Sequence, residues 1–381
     1  MKTLFLIVAA LASMLGAQVQ AACAAPTKDS HIAVPGHPFS AIASADNCWL
    51  FVSIDDGEDQ GAIAVLRNKD GVFALDHTFA LKNNVYGEAL SHDGKLLLVA
   101  ANDDTAILDV AGLEQAGANP LLGLLHNGPH AGAVYTAVSL DDKLLFVSNE
   151  RAQSISVFDL TKVRSDDSRG DALLGRVPTA LAPIGLAFSP DGRWLYATSQ
   201  AMSATANTSA TCKAEQQGGH MHPPGVLLRI DVAKAASDPA HAVAAALPAG
   251  CNPVRVAISP SGKQLWVTAR GDNTLLRFQA DDGLAEAKHA SVGSFPIGTS
   301  PVGVVVRPDG KQVWVALSNR FGKDSAGQLA GLVSGDNDAS MKHLSAPAAG
   351  FPREVSFLPD GRTLVATLFD AKQVELILTP E

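Results

Sequence analysis

Arg255 and Glu354 are the residues of this 381-residue chain whose types and places combine most readily into chemistry. Each stands six residues before the third position of a tight turn that recurs along the sequence. The equivalent residues before the other turns are Ser40, Gly87, Tyr135, Gly185 and Gly303. Two residues further on lie Ile42, Ala89, Ala137, Ala187, Ala257, Val305 and Ser356, mostly small, as a crowded axis would require. Strand side chains alternate in direction, so both sets share one side of their strands. Tyr135, Arg255 and Glu354 are then the polar members of a set facing a common centre. A guanidinium and a carboxylate there either hold a ligand or pair with one another and plug the centre. The residues alone permit both.

A second group, Asp55, Asn102, Glu150, Arg151, Gln200, Arg270, Asn319 and Arg320, falls at the far ends of the strands that follow the turns. Solvated or mutually paired loop charges are the plain reading. As ligand contacts, Glu150 and Arg320 would join Arg255, Glu354 and Tyr135. Glu88 falls in a column that otherwise holds Leu186, Val256, Val304 and Val355, where a carboxylate needs a partner or a task. His220 and His222 flank Met221, and imidazole with thioether suits copper. Two histidines do not make a ligand set, so neither a metal nor a cofactor is expected. His37 and His130 stand at the starts of their units and could reach the same face. There is no Gly-x-Ser-x-Gly elbow, no His-Glu-x-x-His and no phosphate-cradling glycine loop.

These residues are positioned by one recurring element. Ser189-Pro190-Asp191-Gly192 separates two β-rich runs, and Asp-Gly tolerates the positive φ of a hairpin turn. The same marker appears at Ser44–Asn47, Ser91–Gly94, Ser139–Asp142, Ser259–Gly262, Arg307–Gly310 and Leu358–Gly361. The spacing is mostly about 48–50 residues, with about 20 extra between the fourth and fifth turns, in the range for four-stranded propeller blades. Seven such units bury their apolar faces only by packing around an axis. An all-β, seven-bladed β-propeller follows. The last unit, Phe351–Glu381, has room for three strands, so His31–Pro35 is expected to supply the fourth and close the ring. Lys234 to Ala246 tempts a helix assignment, which Pro239 interrupts. All seven turns lie on one face, and a central site would use the opposite one.

Residues 1–22 read as a secretory signal: Lys2, an apolar run from Leu4 to Leu15, then small residues before Cys23. Residues 23–381 form the single propeller domain, with 201–224 a long insertion in blade four. Cys23 raises the question of lipidation, although Gln20 stands where a lipobox wants leucine. A periplasmic or secreted chain permits disulfides. The long loop and Cys251 fall on the same face, which favours Cys212–Cys251, leaving Cys23 with Cys48. Closing such a loop stabilises by about 3 kcal/mol or a little more. A net charge of −9 with no Lys/Arg block makes nucleic acid an unlikely partner. No later segment is apolar enough to span a membrane, and a monomer is expected.

Pro253-Val254-Arg255-Val256-Ala257-Ile258-Ser259-Pro260-Ser261-Gly262-Lys263-Gln264-Leu265-Trp266-Val267-Thr268 resembles the YVTN-type repeat, and Pro301 to Ala316 is a second copy. That repeat belongs to seven-bladed, lactonase-like propellers of the WD40-like superfamily, and the resemblance covers the mature chain. It implies an exported binding or scaffold module engaging a protein, glycan or small molecule on the face opposite the turns. The alternative it implies is a lactone hydrolase. By residue type and face, Arg255, Arg353 or Arg270 would polarise the lactone carbonyl while His130 or Glu354 activates water.

Overall fold

The computed structural model describes residues 22–57, 60–164, 171–202, 212, 223–280, 291–319, 327–333 and 342–381. Seven separate four-stranded antiparallel sheets stand in a ring. In blade four the order from the axis outward is Leu181–Phe188, Trp194–Ala201, Pro224–Asp231 and Val243–Cys251. Ser30–Ala33 pairs antiparallel with Gln373–Leu378 and completes blade seven, so the two ends of the propeller close the ring. The segment expected as a helix beyond Lys234 divides instead. Val232–Ser237 is helical under an Asp231 cap, Pro239–His241 is a single 3-10 turn, and the remainder is the outer strand. Cys251 is the last residue of that outer strand and ends blade four.

The recurring serine has a physical reason. In the first four turns its hydroxyl donates to the Asp two residues on, as in Ser189 to Asp191 (2.5 Å). It also accepts the backbone N–H that opens the second strand, as from Trp194 (2.9 Å). Gly192 has φ 70°, the conformation for which glycine is placed there.

The core is a set of slabs between neighbouring blades. Leu195, Ala197 and Ile230 of blade four pack against Phe146, Ile155 and Val157 of blade three. Trp266 and Trp314 are almost wholly buried in the next two slabs after blade five. Ile32 and Val34 join the slab shared by blades seven and one, which ties the closing strand into the core. Two disulfides form, Cys23–Cys48 and Cys212–Cys251. The first commits the Cys23 sulfur, leaving no thiol for lipid attachment, and the Cys23 N–H donates to Asp46 O (2.8 Å). Among the described residues no helix is long and apolar enough to cross a membrane.

Blades are also joined by buried hydroxyls. Six of the seven inner strands slip register near their start, for example between Pro253 and Val256 or Pro352 and Val355. Such a bulge leaves backbone groups without ladder partners. Thr198 accepts from Gly185 N (2.9 Å) in its own blade and donates to Val254 O (2.8 Å) in the next. Thr268 does the same between Arg255 N and Val302 O, and Thr367 between Glu354 N and Phe39 O, across the ring closure. Thr268→Val keeps shape but leaves a buried N–H and a buried C=O unsatisfied, with an expected loss of about 1–3 kcal/mol. Urea unfolding at neutral pH measures it, and a loss below about 0.5 kcal/mol would deny the hydroxyl this role.

Candidate functional site

The bulges bring two consecutive residues of each inner strand to the axis. The outer tier, toward the face opposite the turns, is Phe39, Tyr86, Val134, Ile184, Val254, Val302 and Arg353. Five of these, with Phe351, form one buried apolar cluster drawn from six blades, which only the axis permits. The next tier is Ser40, Gly87, Tyr135, Gly185, Arg255, Gly303 and Glu354.

In that second tier Arg255 Nε donates to Glu354 Oε1 (2.5 Å), and its Nη2 pairs with the same carboxylate. Arg255 is 3% and Glu354 7% exposed, so the pair is taken up within the channel. The guanidinium also lies over the Tyr135 ring, 4.6 Å from its centre. Burial, then the Glu354 charge, push the Tyr135 phenol far above its ordinary value, so it is a neutral hydroxyl at any ordinary pH. Glycine is required beside these large groups. A Cβ on Gly185 would stand 2.9 Å from Arg255 Cα, and one on Gly87 would strike the Tyr135 ring.

Glu88 is 4% exposed and points toward blade one. Neither carboxylate oxygen makes a hydrogen bond of normal geometry; the backbone N–H of Ser53 is the near donor and offsets burial only in part. Burial holds the Glu88 carboxyl well above the usual carboxylate range.

Above the plug, the rim carries a network across three blades. Gln200 Oε1 accepts from Asn252 Nδ2 and from Arg270 Nη2, both at 3.1 Å. Arg270 Nε donates to Asn252 Oδ1 (2.7 Å), and Gln200 Nε2 reaches Glu150 Oε1 (3.5 Å). Arg353 sits on the outer tier with its guanidinium 3.7 Å over the Phe39 ring. His130 is apart: exposed, at φ 55°, with its backbone N–H on Asp103, and no contact joins it to Arg255 or Glu354 among the described residues. Arg320, His220 and His222 lie outside the described residues, as does most of the 201–224 insertion. Among the described residues no three His, Cys, Asp or Glu side chains form a metal cluster.

Strict alternation hides the outer tier, because it turns Phe39, Tyr86 and Arg353 away from the axis. The signal was present: proline recurs at Pro38, Pro183, Pro253, Pro301 and Pro352, and proline at a strand start marks a bulge.

The clefts on the turn face lie elsewhere. One of about 460 Å³ runs between blades three and four beside Leu140 and Arg193, and one of about 380 Å³ between blades four and five beside Trp194. They are gaps between neighbouring hairpins, and the charges lining them, Asp141, Lys143, Asp191 and Arg193, belong to the turns and the residues that follow them.

No family model matches the chain, and no curated protein matches it. Solved structures do. A chain of the Kuenenia stuttgartiensis hydrazine synthase superposes with TM-score 0.66 at 16% identity, covering 92% of this chain and 98% of that one. A chain of a mitotic checkpoint complex gives TM-score 0.66 at 16% identity over the whole of both. A 6-phosphogluconolactonase-like protein of Bacteroides uniformis gives 0.63 at 17%, covering 85% and 90%. At these identities the likeness is one of fold.

Two outcomes are expected of the plug. Glu354→Gln leaves the Arg255 charge buried and uncompensated, with a loss of about 3–5 kcal/mol, while Arg255→Met with Glu354→Leu recovers most of it. Urea midpoints of the two variants test this, and equal losses in the single and the double variant would refute it. For Glu88 the sign follows from proton retention. The unfolded group ionises near about pH 4.3, whereas the folded group keeps its proton to a higher pH. Above the unfolded pKa its contribution to stability therefore falls as pH rises, and it levels off once the folded group ionises. Glu88→Val is expected to gain more stability at about pH 8 than at about pH 4, by about 1–3 kcal/mol. An equal change at both pH values would contradict that assignment.

Proposed function

We propose that the chain is an exported binding propeller of the YVTN type, whose ligand or protein partner seats on the channel mouth opposite the Asp-Gly turns. The observation carrying this reading is the Arg255–Glu354 pair. The two groups best suited to polarise a carbonyl and activate water are buried and spent on each other. The mouth above them offers directed hydrogen-bonding groups from blades three, four and five, with Arg270, Gln200 and Glu150 as contacts. Residues 1–22 act as the secretory signal in this proposal, and two disulfides support an oxidising destination. The mature 23–381 chain works as one domain and as a monomer.

Hydrolysis of a lactone is the second reading. It is favoured by the lactonase-like structural neighbour and by an arginine and a carboxylate meeting at the axis. One experiment separates the two. The purified chain is assayed for ring opening of γ- and δ-lactones by pH-stat. Immobilised chain is then used to recover ligand from the native exported fraction. The binding reading expects no ring opening above the buffer rate. It also expects a retained ligand that Arg270→Ala weakens about tenfold and Lys263→Ala, on the turn face, does not. Ring opening that folded Glu354→Gln lowers about a hundredfold or more would replace it with the hydrolase.

A further inference from the structure

A separate group of side chains gathers at the mouth where blades seven, one and two meet. Phe351 and Phe369 come from blade seven, His37 and Phe39 from blade one, and Tyr86 from blade two. Their rings form two groups: Phe351 to Phe369 at 5.6 Å with Phe369 stacked on His37 at 4.8 Å, and Phe39 edge-on to Tyr86 at 5.2 Å. Arg353 bridges the two, its guanidinium 3.7 Å over Phe39 and 5.3 Å from the Phe369 ring. Phe39 and Phe351 are buried, whereas His37, Tyr86 and Phe369 are half-buried.

The polar atoms here are oriented. His37 Nδ1 lies 2.9 Å from the Phe369 carbonyl oxygen. A carbonyl only accepts, so Nδ1 carries a proton and donates, and Nε2 is the ring nitrogen left for a ligand. The Tyr86 hydroxyl donates to Asn102 Oδ1 (3.4 Å) and accepts from the Asn84 side-chain amide. Asp55 faces His37 across the strand pair, and its charge reaches the Tyr86 phenol together with those of Arg151 and Arg353. The corner thus sets acceptors, donors and a group of both kinds beside aromatic surface, with charges of both signs.

We propose that this corner is a subsite for a neutral saccharide, whose hydroxyls engage Tyr86, Asn102, Asp55 and His37 and whose apolar face lies on Phe369. It rests on the reading that the mouth binds a ligand, and it names that ligand's class. A sugar hydroxyl donates and accepts at once, so it needs both kinds of partner side by side. Its C–H face needs an exposed aromatic surface. An anion would find Arg151 and Arg353 but also Asp55, and an apolar ligand would strip water from the Asp55 carboxylate.

Isothermal titration of the full chain tests this with methyl glycosides of glucose, galactose, mannose and N-acetylglucosamine. Glucuronate and inorganic phosphate serve as anionic arms. Saturable binding of at least one neutral glycoside is expected, weakened about tenfold by Tyr86→Phe or Phe369→Ala and unchanged by Lys263→Ala on the turn face. Unchanged melting of each variant confirms its fold. Binding of glucuronate or phosphate alone overturns the proposal, as does saturable binding of no glycoside. A glycoside weakened by Arg270→Ala but not by Tyr86→Phe also overturns it while leaving a ligand-binding mouth intact. Lactone turnover in the earlier assay would instead remove the binding reading itself.

Discussion

The ring depends on a hydrogen-bond relay placed where its inner strands break register. A bulge near the start of six of the seven inner strands frees an N–H and a C=O in a region closed to water. Left alone, each would weaken the fold by one to several kcal/mol. A hydroxyl on the neighbouring strand accepts from its own blade and donates to the next, as Thr198, Thr268 and Thr367 do. One side chain therefore satisfies two backbone groups and sets the spacing between blades. Where Ala100 stands in place of a hydroxyl, backbone takes over, and Gly87 N donates directly to Val134 O (2.9 Å).

The same bulges decide what fills the axis. Two residues per blade, not one, turn inward, so the channel holds an apolar tier and a polar one. In the polar tier small and large residues alternate by blade: Gly87 then Tyr135, Gly185 then Arg255, Gly303 then Glu354, with Ser40 as the odd seventh. Each glycine removes a Cβ that would collide with the next blade, and each large side chain occupies the room so made. The salt bridge is a consequence of that packing. Arg255 and Glu354, two blades apart, are the charges long enough to meet across the centre.

Much of this was legible along the chain. The turn spacing, the recurring turn marker and the missing fourth strand of the last unit led to seven blades and to closure by the N-terminal strand. Position counting also put Tyr135, Arg255 and Glu354 on one side of their strands. The corner of His37, Phe39, Tyr86 and Phe369 was not legible, because period-2 alternation fails at a bulge. A single slipped residue reverses the direction of everything before it. His130 could be matched by type and face, but its loop, and the left-handed turn at His130, carry it away from the pair.

What the sequence determined by itself was the repeat, and with it the architecture. Local rules of turn chemistry and strand period act over a few residues and need no knowledge of distant partners. The tertiary structure alone decided which charges are spent and which remain available. Whether Arg255 meets a ligand or Glu354 depends on a contact across 99 residues of chain, in a channel whose width is set by all seven blades together. No local pattern encodes that distance. Desolvation, which makes Glu88 hold its proton and Arg255 hold Glu354, exists only once the ring has closed.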